Sequence, residues 1–280
     1  MDLHGFIAAE AAGDLFPWAA QVRAVERFGL TLGQVEEAIL QRGLMPARYQ
    51  RNRQTITVDM QLRLCRSRVV IIGSGGLGGY LVEELARLGV GNLVVVDPDI
   101  FEEHNLNRQF LSSPALLGKP KAAVAAARVA EINPAVAVTP LQLAFSRDNG
   151  HGILGGADVV MDGLDSISTR LELAECCRQL SIPLVHGAIG GWYGQVASQL
   201  PGDDISSALF GSWSESKGIE TRLGNPSFTP AAVASLQVAE ACKILLGEGE
   251  PLRHRMIYVN LLHMEFSEVL LEPSLAAVEQ

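Results

Sequence analysis

The chain contains few cysteines, and their spacing is not that of a metal site. Its 280 residues include four cysteines, Cys65, Cys176, Cys177 and Cys242, without a C-x-x-C pair. Zinc knuckles and disulfide frameworks need regular spacing, so the sequence indicates neither of them. The six histidines are also scattered without ligand spacing, and we assign none of them to a metal.

The sequence also lacks an excess of positive charge and a long hydrophobic run. It has 22 Lys and Arg residues against 31 Asp and Glu residues, a formal net charge of −9. This balance offers no electrostatic footprint for nucleic acid or an anionic membrane. Charged residues interrupt every apolar stretch before the roughly 20 residues of a membrane span, and no basic segment typical of a signal peptide opens the chain. We expect a cytoplasmic protein without nucleic-acid or membrane partners.

Apolar runs rich in β-branched residues alternate with helical patterns from residue 68 onwards. The pattern predicts strands over residues 68–73, 92–97, 136–141, 158–162 and 183–189, and helices over residues 76–88, 119–132 and 166–180. Strands that are apolar throughout are expected where helices cover both faces of a parallel sheet. The sequence therefore predicts an α/β fold with a doubly wound, largely parallel Rossmann-like sheet, which binds ligands at the carboxyl ends of its strands.

Both ends of the chain depart from this alternation. Residues 1–47 are typical of a helical module, in which Thr31 and Gln34 form a capping-box pattern. Beyond a crossover at residues 201–228, we expect a helix capped by Thr229 and ended by Gly247, then a hairpin near residues 256–261 and 265–271. The sequence thus predicts an N-terminal helical module, 1–47, and a main domain, 48–280, with a C-terminal antiparallel extension.

A glycine-rich loop follows the first strand of the main domain. Gly73, Gly75 and Gly78 satisfy the G-x-G-x-x-G pattern, and Asp97 ends the next strand. Glycines permit a tight strand-to-helix turn whose backbone approaches a phosphate, and an acid about 20 residues later is typical of a ribose-binding residue. NAD and FAD proteins share this pattern, so an NAD- or FAD-binding oxidoreductase is one interpretation.

Further motifs follow the glycine loop in a fixed order. They are Asp97-Pro-Asp99, Asn105-Leu-Asn-Arg-Gln109, Gly118-Lys-Pro-Lys121 and Asp162-Gly-Leu-Asp165. Together with Gly73-Ser-Gly-Gly-Leu-Gly78, these motifs resemble those of the ThiF, MoeB and HesA family, the bacterial relatives of ubiquitin-activating enzymes, over about residues 48–272. A dehydrogenase requires none of the motifs at residues 105–109, 118–121 and 162–165.

The resemblance implies an adenylyltransferase. In the implied reaction, the C-terminal carboxylate of a small ubiquitin-like sulfur-carrier protein ending in Gly-Gly attacks the α-phosphate of ATP, giving an acyl-adenylate and pyrophosphate. Nucleophile and triphosphate carry like charge, so the site must supply positive charge, and Arg108 and Lys121 are the candidates. Asp165 is the candidate Mg²⁺ ligand, because Mg²⁺ prefers oxygen donors.

The remaining candidates would hold the nucleotide. The resemblance implies that Asp97 binds the ribose hydroxyls and that Asn105 and Gln109 hydrogen-bond phosphate or base. The full set of nucleotide-binding candidates is Gly73, Gly75, Gly76, Leu77, Gly78, Asp97, Asp99, Asn105 and Gln109. ATP and Mg²⁺ are the expected cofactors.

A basic connector precedes the first strand of the main domain. Its Arg48-Tyr-Gln-Arg51 segment resembles the family's R-Y-x-R element, whose second arginine reaches the triphosphate of the partner subunit in a homodimer. The resemblance makes Arg51 a catalytic candidate in trans. Arg53 is its counterpart if the match is instead made through Asn52-Arg-Gln54. Either register implies a homodimer.

The chain departs from the family pattern at its cysteines. Most relatives hold structural zinc with two C-x-x-C pairs, where this chain has Ser206-Ser-Ala-Leu209 and Asn225-Pro-Ser-Phe228, so no zinc is expected. No cysteine lies between Cys177 and Cys242, where some relatives bind the carrier covalently. We therefore expect transfer of the activated carrier to a separate sulfur or amine donor.

Two assignments stay open at this point. The chain can also be a non-catalytic subunit that binds the carrier while another subunit adenylates it. The module at residues 1–47 lies outside the matched region and is either a packing or dimer element or a docking surface for a sulfur donor or carrier.

Overall fold

A large sheet covered by helices forms the centre of the molecule. The computed structural model describes residues 1–205, 209 and 223–271. The strands are β1 (Leu15–Phe16), β2 (Met45–Pro46), β3 (Arg68–Ile72), β4 (Asn92–Val96), β5 (Ala137–Leu141), β6 (Val159–Asp162), β7 (Leu184–Gly190), β8 (Tyr193–Gln199), β9 (Arg255–Asn260) and β10 (Glu265–Leu270). The α-helices are α1 (Leu3–Glu10), α2 (Trp18–Phe28), α3 (Leu32–Gln41), α4 (Val58–Arg66), α5 (Gly76–Leu88), α6 (Lys121–Ile132), α7 (Arg147–Leu154), α8 (Ile167–Leu180) and α9 (Phe228–Leu246).

The sheet has eight strands in the order β10-β9-β8-β7-β6-β3-β4-β5. Strands β7, β6, β3, β4 and β5 pair in parallel, and β8, β9 and β10 extend the sheet in antiparallel pairing. Strand β3 pairs with β4 on one side and with β6 on the other, so the chain reverses its winding direction there. This confirms the predicted doubly wound fold and places the expected ligand crevice between β3 and β6.

Alternate residues of the central strands pack into two separate cores. In β3, Val69 and Ile71 belong to a core shared with α5, α6 and α9, whereas Val70 and Ile72 belong to a core shared with α7 and α8. Burial on both faces explains why these strands are apolar throughout instead of alternating. The two layers fix the carboxyl ends of β3, β4 and β6, from which the candidate site is built.

The predicted elements of the main domain are present within one or two residues at each end. The sequence pattern did not predict the short helices α1 and α7 or the strands β1, β2 and β8. The expected cap of α9 was wrong. Ser227 precedes that helix, and Thr229 lies inside it, fully buried, where its hydroxyl donates to the carbonyl oxygen of Gly191 at 2.6 Å. Gly247 ends α9 in the left-handed conformation, as predicted.

Residues 1–47 form helices α1, α2 and α3 around a small apolar core of their own. That core includes Phe6, Ile7, Phe16, Val35 and Ile39. The predicted capping box at Thr31 and Gln34 begins α3, and β1 and β2 pair in parallel beside it. Helix α3 packs against α4. The division of the chain at residues 47 and 48 stays a prediction.

Helix α9 is long and apolar. Within the described residues, it is the one helix that could cross a membrane by length and composition. Half of its apolar window is buried against the protein, and it packs on α5, β7 and β8. A core helix passes the same test, so this finding is weak evidence for a membrane span.

Candidate active site

A pocket of about 320 Å³ opens at the carboxyl ends of β3, β4 and β6. It brings together most of the sequence-predicted site residues: Gly73, Gly75, Gly76, Leu77, Asp97, Asp99, Arg108, Gln109, Lys121 and Asp165. The predicted residues Gly78, Asn105 and Arg51 do not line it. The position agrees with the ligand crevice of a doubly wound sheet.

The glycine loop connects β3 to α5 by close backbone packing. Gly73 has a φ of +87°, and a Cβ there would lie 2.7 Å from the carbonyl oxygen of Gly163. A Cβ on Gly78 would lie only 1.9 Å from the carbonyl oxygen of Gly73. Gly78 therefore shapes the loop without facing the pocket. The N-cap residue of α5 is Gly75, which has no side chain to cap the helix, so within the described residues its first backbone N–H groups stay available to a phosphate.

Asp97 and Asp99 follow β4 and differ in their surroundings. The Asp97 carboxylate is buried and accepts hydrogen bonds from the backbone N–H of Ser74 at 2.7 Å and that of Asp99 at 2.9 Å. Asp97 thus ties the glycine loop to the end of β4. The Asp99 carboxylate is largely exposed. The ribose role predicted for Asp97 is untested, and Asp99 is the more accessible acid of the two.

Three cationic side chains, Arg108, Lys121 and Arg170, line the pocket, and they come from different elements. Lys121 is the first residue of α6 and is only 6% exposed, and its Nζ pairs with the Asp99 carboxylate at 3.0 Å. Arg108 is partly exposed, and its guanidinium donates to the carbonyl oxygen of His104 at 2.8 Å and to the Asn107 side chain at 2.9 Å. Lys121 is held by an ion pair, whereas within the described residues Arg108 has only neutral partners and its charge is uncompensated.

Gln109 and Asn105 differ in where their amides point. Gln109 lines the pocket, and its buried Oε1 has no hydrogen-bond partner among the described residues, so it can accept from a ligand. The Asn105 side chain instead accepts from the backbone N–H of Glu102 at 3.0 Å and closes the turn that carries Arg108. The contact predicted for Asn105 with phosphate or base stays a prediction.

Asp165 lies on the turn after β6, where it is exposed at the pocket. Behind this turn, Asp162 is fully buried and accepts from the Leu164 backbone N–H at 2.9 Å. Arg170 also donates to the carbonyl oxygens of Leu164 and Gly187, the latter at 3.1 Å. His186 Nδ1 lies 2.7 Å from the Asp162 carboxylate. We call Asp162, Arg170 and His186 the rear cluster, since it holds the turn in place from inside.

Charges in the rear cluster are compensated internally. Burial raises the pKa of the Asp162 carboxyl, but the Arg170 guanidinium and the hydrogen bond with His186 outweigh it and hold that pKa below its usual range. Burial lowers the pKa of His186 despite the nearby carboxylate. Asp162 is therefore ionised and His186 neutral, so the imidazole donates from Nδ1 and accepts at Nε2 from Gln195, 3.2 Å away.

The three arginines of the basic connector, Arg48, Arg51 and Arg53, lie outside this pocket, and Arg48 pairs with Glu36 at 3.2 Å. Arg53 pairs with Asp14 of the same chain at 2.7 Å. Arg51 is exposed, and its guanidinium has no hydrogen bond or ion pair within the described part of the chain. Arg51 is therefore the arginine of the connector whose charge remains available to another molecule.

All four cysteines are described, and none has the surroundings of a nucleophile. Burial raises the pKa of Cys65 to about 12 and that of Cys242 to about 11. Burial also raises the pKa of Cys176 and Cys177. A thiol with a raised pKa forms little thiolate at neutral pH.

The structure describes only part of the two segments where relatives have zinc-binding cysteines. Ser206-Ser-Ala-Leu209 lies outside the described residues except for Leu209. Asn225 lines the pocket, and its backbone carbonyl accepts from Asn107 at 3.2 Å. Across residues 1–205, 209 and 223–271, no group of three or more His, Cys, Asp or Glu side chains could hold a metal ion.

Sequence reasoning missed the rear cluster and Asn225. Asp162 stood in a recognised motif, yet only Asp165 received a role. Arg170 is five positions after Asp165 and, near the start of α8, faces back toward the turn. His186 and Asn225 carry no local signal, because only the folded chain brings them to the site.

The sequence matches a known protein family and several named proteins. The model of the ThiF family matches residues 49–277. The SAMP-activating enzyme E1 of Haloferax volcanii is 40% identical over 75% of this chain and 78% of that protein. The sulfur carrier protein adenylyltransferase of Thermus thermophilus is 36% identical over 75% of this chain and 80% of that protein.

Structural similarity extends to more distant proteins. A crystal structure of Escherichia coli MccB with ATP has a TM-score of 0.66 at 20% identity, covering 92% of this chain and 84% of that chain. At this identity the likeness shows the fold alone. Some further relatives, named as combined adenylyltransferases and sulfurtransferases, are longer, and the chain spans about half of their length.

Proposed function

Because the chain belongs to the ThiF family, we propose that it is an ATP-dependent adenylyltransferase acting on a small ubiquitin-like sulfur-carrier protein. The C-terminal glycine carboxylate of the carrier attacks the α-phosphate of ATP and displaces pyrophosphate. Relatives named as adenylyltransferases support the reaction class. The observation that carries the proposal is one pocket combining the glycine loop with Arg108, Lys121 and Asp165.

The residues of the pocket suit this reaction. Charge builds on the α-phosphate and on the departing pyrophosphate, and a preorganised cation stabilises it most where water is excluded. Lys121 is buried and held by Asp99, so it meets this condition without reorganisation. Arg108 can release its two neutral acceptors and present a planar fork to phosphate oxygens. Asp99 or Asp97 binds the ribose, and Gln109 accepts from the nucleotide.

Mg²⁺ is the metal that we propose for this reaction. Magnesium in nucleotide sites is held by one or two carboxylates together with phosphate oxygens. The exposed Asp165 carboxylate provides such a donor on the pocket wall, held from behind by the rear cluster. When bound, the ion would neutralise charge on the triphosphate. No zinc is part of this proposal.

The proposed assembly is a homodimer in which Arg51 serves the partner's pocket. A triphosphate carries several negative charges. Within the pocket Lys121 is paired with Asp99, and Arg170 is committed to Asp162, which leaves Arg108 as the uncompensated cation among the described residues. Arg51 is available and lies outside its own pocket, whereas Arg53 is occupied by Asp14. These observations favour Arg51 over Arg53.

The acyl-adenylate is consumed outside this chain in our proposal. None of its cysteines has the low pKa that a thioester-forming nucleophile needs. A separate sulfur or amine donor must then attack the activated carboxyl group. A cytoplasmic location remains a prediction.

Two alternatives are weaker. An NAD- or FAD-binding oxidoreductase explains the glycine loop but leaves Arg108 and Lys121 without a role. A non-catalytic carrier-binding subunit would not need an intact set of phosphate-binding candidates. Thermal shift with ATP against NAD separates the first alternative, because a true ligand at 100 times its dissociation constant adds about 2.7 kcal/mol of stability.

The decisive experiment is ATP–pyrophosphate exchange with a panel of β-grasp proteins that end in Gly-Gly. We expect exchange with at least one carrier and none when its last glycine is deleted. Arg108→Ala, Lys121→Ala and Asp165→Asn should each lower exchange about 10²-fold or more, the scale for removing one preorganised transition-state contact. Lys119→Ala is the matched control, because Lys119 is exposed and outside the pocket.

The same experiment can refute the proposal. Exchange that stays within twofold in the three pocket variants would remove those residues from the mechanism. ATP binding without exchange for any carrier would favour the non-catalytic subunit. For Arg51, a mixture of Arg51→Ala and Arg108→Ala chains should regain part of the lost activity if the two residues meet across an interface.

A further inference from the structure

The turn that carries Arg51 is anchored on both of its sides. Before Arg51, the Tyr49 side chain is 2% exposed. After it, Arg53 pairs with Asp14 at 2.7 Å, and Ile56 is buried in the main core. The backbone N–H of Asn52 also donates to the carbonyl oxygen of Tyr49 at 2.9 Å. The exposed guanidinium of Arg51 thus projects from a fixed backbone.

Tyr49 belongs to a buried polar network that we call the junction cluster, formed by Glu36, Arg48, Tyr49 and Asn133. The Tyr49 hydroxyl donates to the Glu36 carboxylate at 3.0 Å and accepts from the Asn133 amide at 2.9 Å. Arg48 pairs with Glu36 at 3.2 Å and also donates to Asn133. The cluster therefore joins α3 of the N-terminal module to the main domain.

The Tyr49 end of the junction cluster is tightly packed, whereas Arg48 and Asn133 also line a surface pocket. A Cβ on Gly89, at the end of α5, would lie 2.4 Å from the Tyr49 hydroxyl oxygen. The Arg48 guanidinium stacks over the ring of Trp18, 4.8 Å from its centroid. Glu36 and Tyr49 both have a raised pKa, chiefly because burial disfavours their charged forms. Tyr49 consequently has little room to move.

One helix connects the cluster with the pocket. Asn133 is the C-terminal cap of α6, and its amide also donates to the carbonyl oxygen of Ala86 at 2.8 Å. Lys121 is the first residue of the same helix and lines the pocket. The junction cluster therefore fixes Arg51 relative to the rigid element that carries Lys121.

We propose that the junction cluster positions Arg51 for the triphosphate pocket of a second copy of this chain. The N-terminal module then has a role, because it contributes Glu36, which orients Tyr49 and Arg48. Buried ion pairs are weak sources of stability but can fix one geometry. A misplacement of about 1 Å is enough to weaken a bound contact strongly. The inference rests on the proposed function, in which Arg51 acts in trans.

The test uses mixed dimers with one complete site. One chain carries Lys121→Ala and donates Arg51. Its partner carries Arg51→Ala and keeps Lys121. ATP with Mg²⁺ is titrated by calorimetry into this full-length dimer, purified through two different tags. Loss of Arg51 from the donating chain should weaken ATP binding about tenfold, the scale of a charge-assisted hydrogen bond.

Tyr49→Phe then decides the inference, because it removes the hydroxyl and keeps the ring. On the chain that donates Arg51, we expect ATP binding to weaken about threefold to tenfold. When the other chain carries Tyr49→Phe instead, the ATP affinity should equal that of the mixed dimer without this substitution. In a homodimer of Arg51→Ala chains, Tyr49→Phe should change the ATP affinity less than twofold. A purely structural role of Tyr49 predicts equal effects at all three placements.

Controls separate the possible failures. Glu36→Gln keeps an acceptor for the Tyr49 hydroxyl but removes the ion pair with Arg48. Its effect on ATP affinity should also depend on which chain carries it, and this variant replaces Tyr49→Phe if the latter does not fold. Ser198→Ala removes a buried hydrogen bond to Glu240 far from the cluster and should leave ATP affinity unchanged. A wild-type protein that does not bind ATP refutes the proposed function. Equal effects at both placements, or a monomeric protein, refute this inference.

Discussion

The charged residues on the two sides of the turn that carries Asp165 differ in their exposure to solvent. At the pocket, Arg108 and Asp165 keep their charges accessible, and Asp99 is exposed beside Lys121. In the rear cluster, Asp162, Arg170 and His186 are buried and compensate one another. The charges of Arg108 and Asp165 are thus left open at the pocket, whereas those of Asp162 and Arg170, which hold the turn, are buried and paired. Substitutions should therefore separate activity from stability across one turn.

The glycine loop packs against the turn that carries Asp165, and a substitution at Gly78 in this loop should have the largest effect on stability. Gly78→Ala puts a Cβ 1.9 Å from the Gly73 carbonyl oxygen, and neither backbone can yield without moving β3 or α5. We expect loss of the cooperative unfolding transition, measured by circular dichroism. Gly76→Ala is the matched control, since the nearest atom there would lie 3.8 Å away. An undisturbed melting curve in Gly78→Ala would disprove the close packing.

A second prediction concerns the two arginines on either side of the turn. Arg170→Leu leaves Asp162 as an uncompensated buried charge, which costs about 3 kcal/mol or more. Arg108→Ala removes a partly exposed side chain and should change stability by about 0.5 kcal/mol or less while lowering exchange. Urea unfolding of both variants measures the difference. Similar losses of unfolding free energy in both variants would contradict the proposal that Arg170 acts on stability and Arg108 on activity.

A third prediction follows from the neutral His186. Its pKa lies below the usual value of 6.5 because of burial, so the unfolded chain binds a proton more readily than the folded chain. Stability should therefore fall as the pH drops below about 6.5, with a slope of at most about 1.4 kcal/mol per pH unit from this group. Asp162, with its lowered pKa, adds to the loss only at much lower pH.

His186→Gln checks the origin of this slope. Glutamine can bond to Asp162 but does not titrate, so the loss between pH 6.5 and 5.5 should become smaller than in the wild type. Urea unfolding at both pH values gives the comparison. An unchanged slope would assign the acid sensitivity to other groups.

The smallest expected effect belongs to the cysteines. Because Cys65 and Cys242 have pKa values of about 12 and 11, and Cys176 and Cys177 are raised too, iodoacetamide at pH 7.5 should leave exchange unchanged. Non-reducing gels should show no covalent carrier adduct. A reducible adduct would contradict transfer to a separate donor.

Local signals predicted much of this molecule because they depend on neighbours in sequence. Apolar β-branched runs located the parallel strands, and the capping box located α3. The same reading failed for α7, whose eight residues contain two glycines and too few apolar positions for a helical pattern. It also failed for Thr229, because a Thr-Pro pair indicates a helix start, yet the buried hydroxyl is engaged by a distant carbonyl group.

The fold class, the glycine loop and the order of the charged motifs could be predicted from the sequence, because the strand and helix patterns and each motif consist of residues that are neighbours in the chain. The fold was needed to show which acid is exposed, that the charge of Arg108 is accessible and that His186 lies behind the turn that carries Asp165. Those properties depend on burial and on partners from other strands. Solvent exclusion and pairing across the sheet set them, and no spacing within the chain encodes either.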